Sequence, residues 1–362
     1  MDAWVRGFDE GWINGMTLGD GEAPVTRIVA HWFNLPRFRG QHHLTDRSEG
    51  GDRYWDRGRW SHEVDGWKIV LDVRPDHDSV WKELLKTRLY AMTHTMEISR
   101  VSGEQFTATE AEPLLTALHL GMSFSLGRWT APLLPVGLGS EGEVLWETWG
   151  ALHCDPARQH SSGWWDLWDL DALGRFLDGL VPVITDPAQG ESLTLQIKYA
   201  ITAIRDQGFV EQRIMIGAAG LEHVMWQRLR LSGALSTAEY RNTHDWPAHE
   251  KLRRVLREIN VPVSLDRNQL PAMAAFADEM QRRSGKDWDG PSVVTEVRNF
   301  LVHPKEDQKK LYRIPGLVTE VWLVTRHYLS LLILESLGYR GPHQNLSRKR
   351  GLAGEVEGTP WP

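Results

Sequence analysis

Near residue 191 the chain changes its hydrophobic rhythm, and that change constrains its fold more than any other feature. From there on, apolar residues recur at helical spacing. LTLQIKYAITAIRDQ places Leu193, Ile197, Ala200, Ile201 and Ile204 on one helix face. FVEQRIMIGAAGLEHVMWQRLRL and HEKLRRVLREI continue the pattern, and LPAMAAFADEMQRRSG is closed by Gly285. DGPSVVTEVRNFLVHP opens with Pro291 near the first helical position, and LVTEVWLVTRHYLSLLILESLG ends at Gly338. The pattern predicts about six helices over 191–340, a helical bundle. Before residue 150 the runs are shorter and richer in β-branched and aromatic residues, as in TRIVAHWFNLP and THTMEISRVSGEQFTAT. HEVDGWKIVLDV predicts a hairpin turning at Asp65-Gly66. EAEPLLTALHLGMSFSLGRW predicts a helix from Glu110.

The expected architecture is therefore α+β in two domains. Residues 1–150 form a β-rich, Trp-rich sensor or regulatory domain, and 151–190 a connector containing one helix, DLDALGRFLDGLV. Residues 191–340 form the bundle, and 341–362 a flexible tail. Thirteen of the 18 tryptophans precede residue 170. They predict either a Trp-rich core or a surface that stacks sugars or bases.

Charge divides the chain at the same place. Residues 1–190 hold 17 Lys and Arg against 28 Asp and Glu, whereas 191–350 hold 24 against 18. A basic half within a chain of net charge −7 points to a polyanionic partner. The single cysteine, Cys154, excludes a disulfide framework and a Cys-rich zinc site, and fits a reducing, cytoplasmic location. MDAWVRGFDEGW has no signal-peptide pattern, and Arg326 and His327 interrupt the most apolar stretch. That stretch is expected to be a buried helix, with no membrane partner.

One motif carries chemistry. In EVRNFLVHP, Asn299 and His303 are four residues apart and share a helix face, about 40° around. Arg298 and His303 are about 140° apart on an ideal helix. Pro304 disfavours helical geometry at His303, so the imidazole is expected at a frayed end, able to turn toward Arg298. A guanidinium suits a phosphate, and an imidazole carries protons near neutral pH. Together they suit cleavage of RNA through its own 2′-hydroxyl. Each chain supplies one such imidazole, so a two-fold dimer would supply both base and acid. Lys305, Lys309, Lys310 and Arg313 are placed to hold an RNA backbone.

Arg298-Asn299-Phe300-Leu301-Val302-His303 resembles the Arg–x4–His motif of the HEPN (higher eukaryotes and prokaryotes nucleotide-binding) superfamily. The Arg–Asn pair and the His–Pro step match its common form. The layout is similar to Apea-like HEPN proteins of prokaryotic antiviral defence, which join a partly β domain to a C-terminal bundle. The resemblance implies a dimeric, metal-independent endoribonuclease without a cofactor. Arg298 would stabilise the scissile phosphate, His303 would carry the proton and Asn299 would orient the site; Glu222 is a supporting candidate. It also implies RNA as substrate, tRNA or another single-stranded RNA, with a phage-derived trigger or an antitoxin. Two other classes stay open: a non-catalytic module that binds nucleic acid or a partner, and a ligand sensor using the aromatic N-terminal domain.

Three further clusters hold metal-ligating residue types without a metal site's spacing. His42 and His43 are adjacent and point apart on a strand, and Asp76, His77 and Asp78 lack a further ligand. His153, Cys154, Asp155 and His160 follow no metal-binding spacing.

Overall fold

A computed structural model describes residues 2–5, 11–38, 40–48, 51–150, 152–205, 208–303, 310–348 and 354–362. The chain divides into two compact units, Met1–Ser161 with Trp165–Glu191, and Ser162–Trp164 with Ser192–Pro362. The first is built on an antiparallel sheet and the second on helices, the α+β layout that the hydrophobic rhythm predicts.

The first unit runs β1 (Asp2–Val5), β2 (Gly11–Gly19), β3 (Arg27–Phe33), β4 (His42–Ser48), β5 (Gly51–Val64) and β6 (Trp67–Val73), then α1 (His77–Thr87) and β7 (Met92–Arg100). It continues with α2 (Ala108–Leu126), β8 (Pro132–Leu138), β9 (Val144–Gly150) and α3 (Leu170–Thr185). The strands form one nine-stranded sheet in the order β1-β2-β9-β8-β3-β7-β6-β5-β4. Alternation sets its inner face: Ile28, Ala30 and Trp32 on β3, Trp67, Ile69 and Leu71 on β6, and Met96 and Ile98 on β7 are buried. The β5–β6 hairpin turns at Asp65 and Gly66, both at positive φ, as a two-residue turn requires. Helix α2 begins at Ala108, two residues earlier than the sequence suggests. A capping box explains it: the Thr107 hydroxyl accepts from the Glu110 N–H, and the Glu110 carboxylate accepts from the Thr107 N–H.

The expected connector is largely part of this first unit. Leu173, Phe176, Leu177 and Leu180 of α3 are wholly buried, the Phe176 ring meets Phe124 of α2 at a tilt of 44°, and His62 Nε2 on β5 meets Asp178 Oδ1 at 2.7 Å. An amphipathic helix with that much apolar surface is buried rather than left as a linker. Tryptophan serves mainly as core: Trp32, Trp164 and Trp165 are fully buried, although Trp168 is 68% exposed.

The second unit contains α4 (Gly190–Ile204), α5 (Val210–Met225, prolonged by a π-helical segment, Trp226–Leu231), α6 (Thr237–Arg241) and α7 (Ala248–Glu258). These are followed by α8 (Pro271–Ser284), α9 (Gly290–Val302), α10 (Lys310–Arg313), α11 (Leu317–Ser336), β10 (Pro342–His343) and β11 (Glu357–Gly358). Helix α11 is long and apolar enough to cross a membrane, but 89% of its apolar window is buried inside the protein. Glycines let α5 approach it: a Cβ on Gly217 would lie 2.8 Å from Thr325 Cγ2, and one on Gly220 2.7 Å from Leu329 Cδ2. Buried Glu320 on α11 accepts from the Met273 N–H at the start of α8.

The expected flexible tail is, in its described part, folded. β10 pairs with β11, and buried Trp361 donates its indole N–H to the Tyr339 carbonyl at 2.7 Å. One large aromatic with a satisfied N–H anchors a segment whose Gly, Ser and Arg content suggested fraying.

Candidate functional site

Helix α9 presents the Arg298 motif, and the sequence explains why it forms. Asp289 caps it, its carboxylate accepting from the Ser292 N–H at 3.0 Å, and Pro291 occupies the first turn. Val293, Val294, Val297 and Phe300 make the buried stripe. Arg253 on α7 grips the cap from outside, with Nε and Nη2 at 2.6 and 2.9 Å from the two Asp289 oxygens.

Arg298 and Asn299 sit half-buried at the edge of that stripe, and His303 is exposed. Arg298 Nη1 donates to Asn299 Oδ1 at 3.1 Å, and the His303 N–H donates to the Asn299 carbonyl at 2.9 Å. Asn299 thus holds the guanidinium with its side chain and the His303 backbone with its main chain. His303 leaves the helix at φ −109 and ψ 116, the extended geometry imposed before proline. Among the described residues the Arg298 guanidinium bonds to Asn299 alone. Its other N–H groups are available to an anion.

Of the expected RNA-binding residues, Lys305 and Lys309 lie outside the described residues. Lys310 opens α10 and Arg313 closes it, exposed. Between them Tyr312, 63% exposed, donates to Glu211 Oε1 at 2.9 Å, which raises its pKa. Phe209, just before α5, is 73% exposed. Glu222 lies on α5, which packs against α9. Its charge acts on Tyr240, whose phenol is pushed up to about 12 by burial and then by Glu222, and on Lys251.

The metal candidates resolve into other roles. Asp76 and Asp78 bind Arg74 and Arg37, and His77 is buried with Nε2 3.1 Å from the Leu35 carbonyl. Asp155 accepts from the Trp129 N–H, and burial pushes the Cys154 thiol up to about 11, far from a thiolate. No group of three or more His, Cys, Asp or Glu suited to a metal occurs among the described residues.

Sequence reading missed one site altogether. A cavity of about 330 Å³ in the helical unit is lined by His327 of α11, His343 of β10, residues of the 261–270 loop and the last residues of the chain. The available signal was His327 itself, a polar residue in the middle of an apolar helix.

Residues 20–160 match the family model of the YopA central domain, and residues 186–357 that of the YopA C-terminal domain. Over 311 residues the chain is 26% identical to the SPbeta prophage-derived uncharacterized protein YopA of Bacillus subtilis (strain 168), a match covering 84% of this chain. The chain spans only about two thirds of that relative, 66% of its length. No solved structure matches. These matches overturn the HEPN resemblance: the family models that match are the two YopA domains, and no HEPN family matches. The specific part of the resemblance was six residues, Arg298 to His303; the helical pattern and two-domain layout that accompanied it are common to many unrelated chains. Across both of its units, the chain is instead similar to YopA.

Proposed function

We propose that the helical unit engages RNA at the C-terminal end of α9 and cleaves it without a metal ion. One observation carries the reading: Asn299 binds the Arg298 side chain and the His303 backbone together at an exposed helix end. Arg298 would pair with the non-bridging phosphate oxygens, as guanidinium groups do. His303 would take the 2′-hydroxyl proton while that oxygen attacks the adjacent phosphorus. The bond to the 5′-oxygen breaks, and the leaving oxygen takes a proton from a second acid. The products are a 2′,3′-cyclic phosphate and a 5′-hydroxyl. The second imidazole would come from a second copy of the chain. Lys310 and Arg313, with Lys305 and Lys309 before them, would follow the backbone. The relative's prophage origin supports a role in conflict between phage and host, in the cytoplasm.

The test is cleavage of total tRNA and a labelled single-stranded RNA in EDTA, beside His303→Ala and Arg298→Ala. Loss of about 10²–10⁴-fold is expected for the His303 variant. Undiminished cleavage by both variants, or activity that requires a divalent ion, refutes the reading. The single imidazole that the motif supplies in each chain favours a second reading, an RNA-binding module without cleavage. Salt-sensitive binding with no product, weakened in Arg298→Ala, would select it.

A further inference from the structure

The cavity beside α11 has apolar walls from Leu270, Val324 and Leu331, and two histidines face it. His327 is only 9% exposed, and its Nδ1 is shut away with no hydrogen-bond partner among the described residues, so a ligand meets this ring at its Nε2 edge. His343, 3% exposed, places Nδ1 2.8 Å from the Glu357 carbonyl. A carbonyl only accepts, so Nδ1 carries the proton and Nε2 keeps a lone pair. The two rings are parallel within 2°, their centroids 6.1 Å apart. Burial keeps both neutral, lowering His327 to about 3.

Much of the rest of the polar lining is already engaged. Arg348 donates to Gln269 Oε1 at 3.0 Å and pairs with Glu357, while Asn345 donates to Glu357 Oε2 and accepts from Ser347. Asp266 accepts from the Asn268 and Gln269 N–H groups. The imidazoles, with the hydroxyls of Ser264 and Tyr328, are therefore what the cavity offers a ligand. Two carboxylates against one guanidinium in the lining disfavour a polyanion. No group of three or more His, Cys, Asp or Glu among the described residues is arranged to hold a metal, which disfavours an ion. The volume lies in the range of small-molecule sites.

We infer that this cavity binds a neutral nitrogen heterocycle of nucleobase or nucleoside size, whose polar edge bonds His327 Nε2 and His343 Nε2 and whose ring packs on Leu270, Val324 and Leu331. Such an edge carries a donor and an acceptor side by side, matching the lone pair on His343 and either tautomer of His327. The inference stands apart from the RNA reading and shares none of its residues.

The experiment uses the full chain with ¹⁵N-labelled histidine, titrated with the four nucleobases, their nucleosides and the 5′-monophosphates. At least one base or nucleoside is expected to bind with Kd below about 1 mM, shifting the imidazole nitrogens of His327 and His343. Its monophosphate should bind more weakly. Leu331→Trp, which fills the cavity, should weaken binding at least about tenfold. Should that variant not fold, the wild-type histidine titration decides by itself. No shift at either histidine up to about 1 mM of any base or nucleoside overturns the inference, as does tighter binding of the monophosphates.

Discussion

Replacing Asp289 by alanine removes two things at once. Asp289 caps α9, and it receives both arms of Arg253 from α7. Losing a side-chain cap costs about 1 kcal/mol. Removing one partner of a buried ion pair costs about 3–5 kcal/mol, because the other charge is stranded. Here the side chains are 12% and 20% exposed, and Arg253 retains Glu250, which lowers that part to about 2 kcal/mol. The expected loss is therefore about 3 kcal/mol for Asp289→Ala. Asp289→Asn keeps the cap and loses the charge, so it should cost about 2 kcal/mol. Guanidinium chloride denaturation followed by far-UV circular dichroism reads the helical transition. Pairing each variant with Arg253→Met in a double-mutant cycle separates the cap from the ion pair. A loss below about 1 kcal/mol for Asp289→Ala refutes the reasoning, as does an Asn variant no better than Ala. Acid gives a second check. Burial pushes the Asp289 carboxyl up, but hydrogen bonds from Arg253 and Ser292 outweigh it and hold it below its usual 3.8. The unfolded chain thus takes the proton first. The contribution is present above pH 3.8 and fades as pH falls below it, toward the folded pKa, in the wild type only.

Gly220→Ala should destabilise the helical unit by about 1–3 kcal/mol in thermal or chemical melts, because the new methyl meets Leu329 Cδ2 at 2.7 Å and Tyr199 Cβ at 3.0 Å. A neutral or stabilising result would mean that α5 and α11 separate easily. His327 takes a proton far more readily unfolded, at 6.5, than folded, at about 3, so its contribution to stability falls as pH drops from 6.5 toward 3. His327→Leu should flatten that part of the stability–pH curve, and an unchanged slope would contradict the buried neutral state. Trp361→Ala should cost about 3 kcal/mol and open the β10–β11 segment to limited proteolysis, and equal protease resistance would show that Trp361 is not its anchor. Asn299→Ala should weaken RNA cleavage or binding while leaving the melting curve near that of wild type, since Asn299 bonds only to Arg298 and His303 in the site.

Local physics was legible in the sequence, and distant partnerships were not. Pro291 gave the start of α9, and Pro304 gave the extended His303, because each effect acts within one helical turn. Asp65-Gly66 likewise announced its hairpin. Arg253 reaching Asp289 across 36 residues, or His327 meeting His343 through a loop, leaves no local trace. The boundary at residue 191 was readable, but α3 looked like a linker because its apolar face shows only against α2. The family was misread for the opposite reason: a short motif with clear chemistry outweighed a long, weakly patterned remainder.

The strand order also fixes when the first unit can assemble. β2 lies between β1 and β9, so one of its edges waits for residues 144–150, and β3 waits for both β7 and β8. At ribosomal speeds the gap between β2 and β9 is roughly ten seconds of synthesis. Through that interval an incomplete sheet carries open edges. Such high contact order makes folding slow and leaves the nascent chain prone to edge-to-edge aggregation. Slower translation or a chaperone that shields strand edges should therefore raise the yield of the first unit more than that of the helical one.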